Sequence, residues 1–181
     1  MPLNEIRPGI YSLDGYNPGN DIEPVFALHP FYKALGYFRQ TGDFRALVEK
    51  RMPLQAEYVK RLENIVKNHG GPIIILEECS NMKKTAGHFE RLGRSKDAYF
   101  IETKADLPEL KEISWGCLID FLREFKGNPV KLAGGCFIES AKYGHVGCLA
   151  VAAEKLGKKM PIEIIKEATF SYLPNRNIVM F

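Results

Sequence analysis

Hydrophobic and polar positions alternate along this chain in two distinct rhythms. Leu54, Tyr58, Leu62, Ile65 and Val66 recur at helical spacing with charges between them, which predicts an amphipathic helix ending at Asn68–His69–Gly70–Gly71. The unbroken apolar run Pro72–Ile73–Ile74–Ile75–Leu76 follows directly. Apolar residues on both faces of a strand mark a parallel sheet covered by helices. Tyr99–Phe100–Ile101–Glu102–Thr103 reads as a further strand. Trp115, Leu118, Ile119, Leu122 and Phe125 return to helical spacing until Gly127–Asn128–Pro129. Val130–Lys131–Leu132–Ala133 predicts a strand running into Gly134–Gly135. A small-residue helix then starts at Gly147 or earlier and ends at Gly157, and Ile162–Glu163–Ile164–Ile165 predicts a last strand. Near the start, Gly9–Ile10–Tyr11–Ser12–Leu13 is β-prone and ends in the turn-rich stretch 14–20. Strands alternating with helices predict one α/β domain over 1–181: a Rossmann-like three-layer sandwich around a mainly parallel sheet. The aromatic-rich segment 21–50 fits that pattern least. It reads as short helical pieces covering one end of the sheet, a lid or an oligomer contact.

Composition narrows the partners. In 181 residues, 25 Lys and Arg are balanced by 22 Asp and Glu, for a net charge of +3. Without a broad basic stripe interleaved with aromatics, no nucleic-acid surface is expected. No apolar run reaches the length of a membrane span, and Met1–Ile10 lacks the apolar core of a signal peptide, so no membrane partner is expected. The four cysteines, Cys79, Cys117, Cys136 and Cys148, are far apart and form no CxxC pair. Reduced thiols in the cytoplasm are the expectation, with no metal and no cofactor. The apolar tail Ile178–Val179–Met180–Phe181 is expected to dock on its own domain or on a second copy in a homo-oligomer.

In open parallel sheets, ligands gather at the carboxyl ends of the strands. Three reactive side chains are expected there: Asp14, Lys104 and Cys148. A thiol opening a helix at Gly147–Cys148 feels the positive end of the helix dipole and free N–H groups, which stabilise a thiolate and a developing oxyanion. A lysine nearby favours the same anion, and an aspartate can relay the proton. The plainer readings are a cysteine packed as a small apolar residue, a solvated lysine and a turn aspartate before Gly15. Gly134, Gly135, Gly147, Glu78 and His145 are the candidate substrate contacts. Glu77 is the alternative to Glu78, and His88 an alternative acid–base group to His145.

The order of these residues resembles the isochorismatase-like family of cysteine hydrolases, from about Gly9 to Ser171. The matching stretches are Ile10–Tyr11–Ser12–Leu13–Asp14, Phe100–Ile101–Glu102–Thr103–Lys104, Leu132–Ala133–Gly134–Gly135 and Cys148–Leu149–Ala150–Val151–Ala152–Ala153. The resemblance implies a triad of Asp14, Lys104 and Cys148 that cleaves a small amide-like C–N bond through an acyl-enzyme, without a metal. The Gly-to-Cys connection, 136–146, is longer than the family pattern. An inserted loop keeps Cys148 as nucleophile. On the other register Phe137–Ile138–Glu139 is the cleft-lining turn and the nucleophile position falls on Ser140 or Ala141, with Cys136 as a fallback thiol. The readings kept beside the hydrolase are a non-catalytic binding or assembly module on the same fold and a redox-sensing thiol protein.

Overall fold

A computed structural model describes residues 2–30, 53–103, 115–136, 139–140, 145–146, 148–172 and 178–180. Ten strands are found among them: β1 (Asn4–Arg7), β2 (Ile10–Ser12), β3 (Val25–Leu28), β4 (Ile73–Glu78), β5 (Ala98–Thr103), β6 (Val130–Cys136), β7 (Glu139–Ser140), β8 (His145–Val146), β9 (Ile162–Tyr172) and β10 (Ile178–Met180). The helices are α1 (Pro53–Asn68), α2 (Cys79–Arg91), α3 (Trp115–Arg123) and α4 (Cys148–Gly157). Eight strands form one sheet in the order β1-β2-β5-β4-β3-β6-β9-β10, and β7 and β8 pair separately.

The sheet is mixed, which corrects the expectation of a mainly parallel one. Its centre, β5-β4-β3-β6-β9, is parallel throughout. At one side β2 runs antiparallel to β5 and β1 antiparallel to β2; at the other β10 runs antiparallel to β9. Pro8–Gly9 explains the first hairpin. Gly9 has φ +73, the left-handed value that a proline-glycine turn requires at its second central residue. The run at Ile10–Ser12 is therefore the return arm of a hairpin and not the first parallel strand. That strand is Val25–Leu28, inside the segment expected to be helical. Its four residues are all buried, as a central strand demands.

Strand alternation divides the core into two layers. Val25, Ala27, Ile73, Ile75, Ala98, Phe100 and Ala133 face α1 and α2, where Tyr58, Leu62, Val66, Met82, Ala86 and Phe89 close over them. Phe26, Leu28, Ile74, Leu76, Tyr99, Ile101 and Leu132 face α3 and α4, meeting Leu118, Phe121, Leu122, Leu149, Ala152 and Leu156. The helices that follow β3 and β4 thus cover one face, and those that follow β5 and β6 cover the other, in three layers. Trp115 packs at the margin of the second layer, as its spacing predicts. Among the described residues no helix is long and apolar enough to cross a membrane.

Candidate functional site at the carboxyl edge

The five parallel strands all release the chain at one edge, and chemistry-bearing residues concentrate there. β3 ends at Leu28 and passes into His29–Pro30. β4 ends at Glu77–Glu78 and becomes α2 at Cys79 with no intervening loop. β5 ends at Thr103, so Lys104 is the next residue of the chain. β6 carries Gly134, Gly135 and Cys136 at its end, and α4 opens with Cys148.

Between β3 and β6 the backbones meet closely. Gly134 pairs with Leu28, and a Cβ on it would sit 2.5 Å from the Leu28 carbonyl oxygen; its φ of +79 is also one that side chains resist. The chain winds away from this seam in both directions, because β4 and β5 lie on one side of β3 while β6 and β9 lie on the other. Such a reversal point opens a crevice at the carboxyl edge.

Beside that seam lies a buried polar group that the sequence reading did not single out. His29 has φ +44 and a side chain only 3% exposed. Its N–H continues the ladder to Leu76 O at 2.7 Å. Neither ring nitrogen has a hydrogen-bond partner among the described residues. Nδ1 lies 3.6 Å from Oε1 of Glu77, just beyond hydrogen-bond length. Glu77 is fully buried and held on both oxygens: the Thr85 hydroxyl donates to Oε2 at 2.8 Å, and the Glu78 N–H donates to Oε1 at 3.0 Å. Glu78 points to the opposite face of β4 and accepts from the Asn81 amide at 3.4 Å. The signal in the sequence was the pair of polar residues, His29 and Glu77, directly after two apolar runs.

The expected site residues fall into three groups. Asp14 is exposed and follows β2, whose Ser12 pairs with Tyr99 near the start of β5. Because β2 runs against the parallel strands, Asp14 leaves at their amino edge. At about 3.3 Å per residue, the Tyr99 and Thr103 levels of β5 are on the order of 13 Å apart. The structure therefore does not bring Asp14 to the edge where β5 hands over to Lys104. Lys104, Ala141 and Gly147 lie outside the described residues. Cys136, Gly135, Ser140, His145 and Cys148 are placed by backbone: Ser140 pairs with His145 in the β7–β8 ladder, and Cys148 is the first residue of α4.

A second feature lies on the α2 side. A cleft of about 540 Å³ is lined by Leu3, Tyr11, Cys79, Met82, Lys83 and Glu102, among others. The Tyr11 hydroxyl donates to Glu102 Oε2 at 3.0 Å. Desolvation, reinforced by that carboxylate, pushes its pKa up to about 12. The remaining histidines with described side chains are structural. His69 meets Glu23 O at 2.8 Å, and burial lowers its pKa; His88 meets Glu63 at 2.9 Å and ties α2 to α1.

No family model, curated protein or solved structure matches this chain. Among the described residues no cluster of three or more His, Cys, Asp or Glu side chains is arranged to hold a metal ion.

Proposed function

We propose that the protein is a small-molecule hydrolase on a Rossmann-like, doubly wound sheet, acting on an amide-like C–N bond through a cysteine thiolate. The observation that carries this reading is the position of Cys148. It opens the helix that follows the fourth parallel strand, next to the seam between β3 and β6. Counted in chain order, the parallel strands lie 3-2-1-4-5, the order of doubly wound sheets whose ligands occupy the crevice at the reversal point. Lys104, the next residue in sequence after the third of these strands, is the cation that the reading calls on.

In this reaction the Cys148 sulfur forms a bond to the acyl carbon and the C–N bond breaks, releasing an amine that takes up one proton. Water then attacks the thioester; a C–O bond forms, the C–S bond breaks and the carboxylic acid leaves. The N-terminal N–H groups of α4 favour both the thiolate and the oxyanion formed in each half. A proton carrier is needed in both halves. Asp14 is too far along the strands to serve, so the reading requires a different group.

The test is iodoacetamide labelling across pH, with each modified cysteine located by mass spectrometry. Cys148 is expected to react well below the free-thiol pKa of about 8.5, and Lys104→Ala to slow it at neutral pH. Labelling confined to Cys136 would move the nucleophile to the end of β6. An inert Cys148 and Cys136 together would leave a non-catalytic binding module on this fold as the better reading.

A further inference from the structure

We infer that His29 is the proton-carrying residue of the carboxyl edge and that Glu77 positions its imidazole. The inference rests on the reading of that edge as an active site. It supplies the group that Asp14 cannot.

Three features converge on one residue. The backbone of His29 is left-handed, a conformation that costs a non-glycine residue energy and persists where the surroundings impose it. Its ring is buried, yet both nitrogens lack partners among the described residues. Buried polar groups are normally satisfied, and the exceptions ask for an explanation. His69 and His88, which are held in place by Glu23 and Glu63, show the ordinary case in this same chain. Finally, a fixed carboxylate stands at 3.6 Å. Glu77 cannot turn away, because Thr85 and the Glu78 N–H hold its two oxygens.

The charged side chain that the described residues bring to His29 is Glu77, from β4. From α1, Tyr58 reaches the next residue, donating its hydroxyl to Pro30 O at 2.8 Å. From α2, Thr85 reaches His29 only through Glu77. With Nδ1–H turned to Glu77, Nε2 keeps its lone pair and faces the task of accepting a proton. Catalytic hydrogen bonds are commonly long before a ligand is bound and tighten with it.

The balance closes with the thiol chemistry. In the proposed cycle His29 takes the Cys148 S–H proton as the C–S bond forms, then gives it to the amine nitrogen as the C–N bond breaks. In the second half it takes a proton from the attacking water and returns it to sulfur as the C–S bond breaks. Leu28, the residue before His29, pairs with Gly134 of β6, and α4 packs over β6 with Cys148 as its first residue. The strands adjoining the seam therefore carry both residues to one edge, His29 on the α1–α2 side of the sheet and Cys148 at the start of the helix that covers the other side.

The experiment has two arms on the full-length chain. In the first, diethyl pyrocarbonate is applied to the folded protein and the modified histidines are mapped. His29 is expected to be carbethoxylated, at a rate that changes in Glu77→Gln. Modification of His29 only after unfolding would mean a sealed structural ring and overturn the inference. In the second, the pH profile of Cys148 alkylation is compared between the parent chain and His29→Asn. Asparagine tolerates the left-handed backbone, so the fold is kept, as circular dichroism would verify. The profile is expected to move up by about one pH unit, a roughly tenfold slower reaction at neutral pH. An unchanged profile removes His29 from the chemistry and leaves the thiol reading intact. A Cys148 already inert in the parent chain removes the thiol reading, and carbethoxylation of folded His29 then decides its role alone.

Discussion

Gly134 shows how one residue can hold a site open. Any side chain there would meet the Leu28 carbonyl at 2.5 Å, and both atoms belong to neighbouring backbones that the β3–β6 ladder locks in place. Relief would have to come from the ladder itself. Gly134→Ala should therefore destabilise the protein by about 2 kcal/mol or more, since left-handed strain and the clash act together. Urea unfolding would show this as a lower midpoint at an unchanged slope. His29, across the same seam, adopts a left-handed φ of +44 without being glycine, so of the two it alone carries backbone strain.

The elements that frame the site are tied down at the opposite margin. Arg7 at the end of β1 forms a two-pronged ion pair with Glu124 just past α3, and its guanidinium lies 5.3 Å from the Tyr16 ring centroid. Tyr16 in turn stacks on Phe121 at 6.1 Å, in a cluster with Tyr99 and Phe125. These contacts clamp the β1–β2 hairpin to the α3 layer. On the other face of the hairpin, Tyr11 bonds Glu102 across the β2–β5 ladder. With its pKa at about 12 in the fold, against an ordinary value of 10.0, Tyr11 favours folding fully below pH 10. That contribution is lost as pH rises toward 12, because the unfolded chain ionises first. Glu102→Gln removes a carboxylate that opposes ionisation. Ultraviolet titration of tyrosinate should find Tyr11 moved down toward 10; an unmoved value would mean that burial alone sets it.

At the scale of the whole molecule, the direction of one short strand divides the chemistry. Because β2 is antiparallel to β5, the chain from Leu13 to Pro24 crosses the amino edge before it enters β3. Asn17 N–H donates to the Tyr99 hydroxyl there at 2.9 Å, and the Asn20 amide reaches Gly70 O and Asp97. Asp14 belongs to this edge, where its N–H receives support from the Ser12 hydroxyl in a turn closed by Gly15 at φ +81. Asp14→Asn should accordingly leave Cys148 labelling within about twofold of the parent at every pH, a difference far below one pKa unit. A large slowing would mean that the two edges communicate, and would return Asp14 to the mechanism.

Much of this architecture was legible in the residues themselves. The apolar runs Ile73–Leu76 and Tyr99–Ile101 became central strands because both of their faces are buried, and Val130–Ala133 joined them although Lys131 within it is only partly buried. The helical spacing of Tyr58, Leu62 and Val66, and of Leu118 and Leu122, became the buried stripes of α1 and α3. The small-residue helix expected to start at Gly147 or earlier is described from Cys148. Besides the short outer strands β1, β7, β8 and β10, two elements of the parallel core and its covering helices escaped. β3 offers four apolar residues, too few to tell a strand from a helix turn, and α2 buries Met82, Ala86 and Phe89 among Lys, Asn and Gly87, a stripe too thin to stand out. What no local pattern holds is direction and neighbourhood. An apolar run reads the same whichever way its strand points, so only the pairing of β2 with β5 decided that Asp14 lies at the far edge. Likewise, only the parallel pairing of β3 with β4 set His29 against Glu77, two side chains 48 positions apart that local reading has no means of joining.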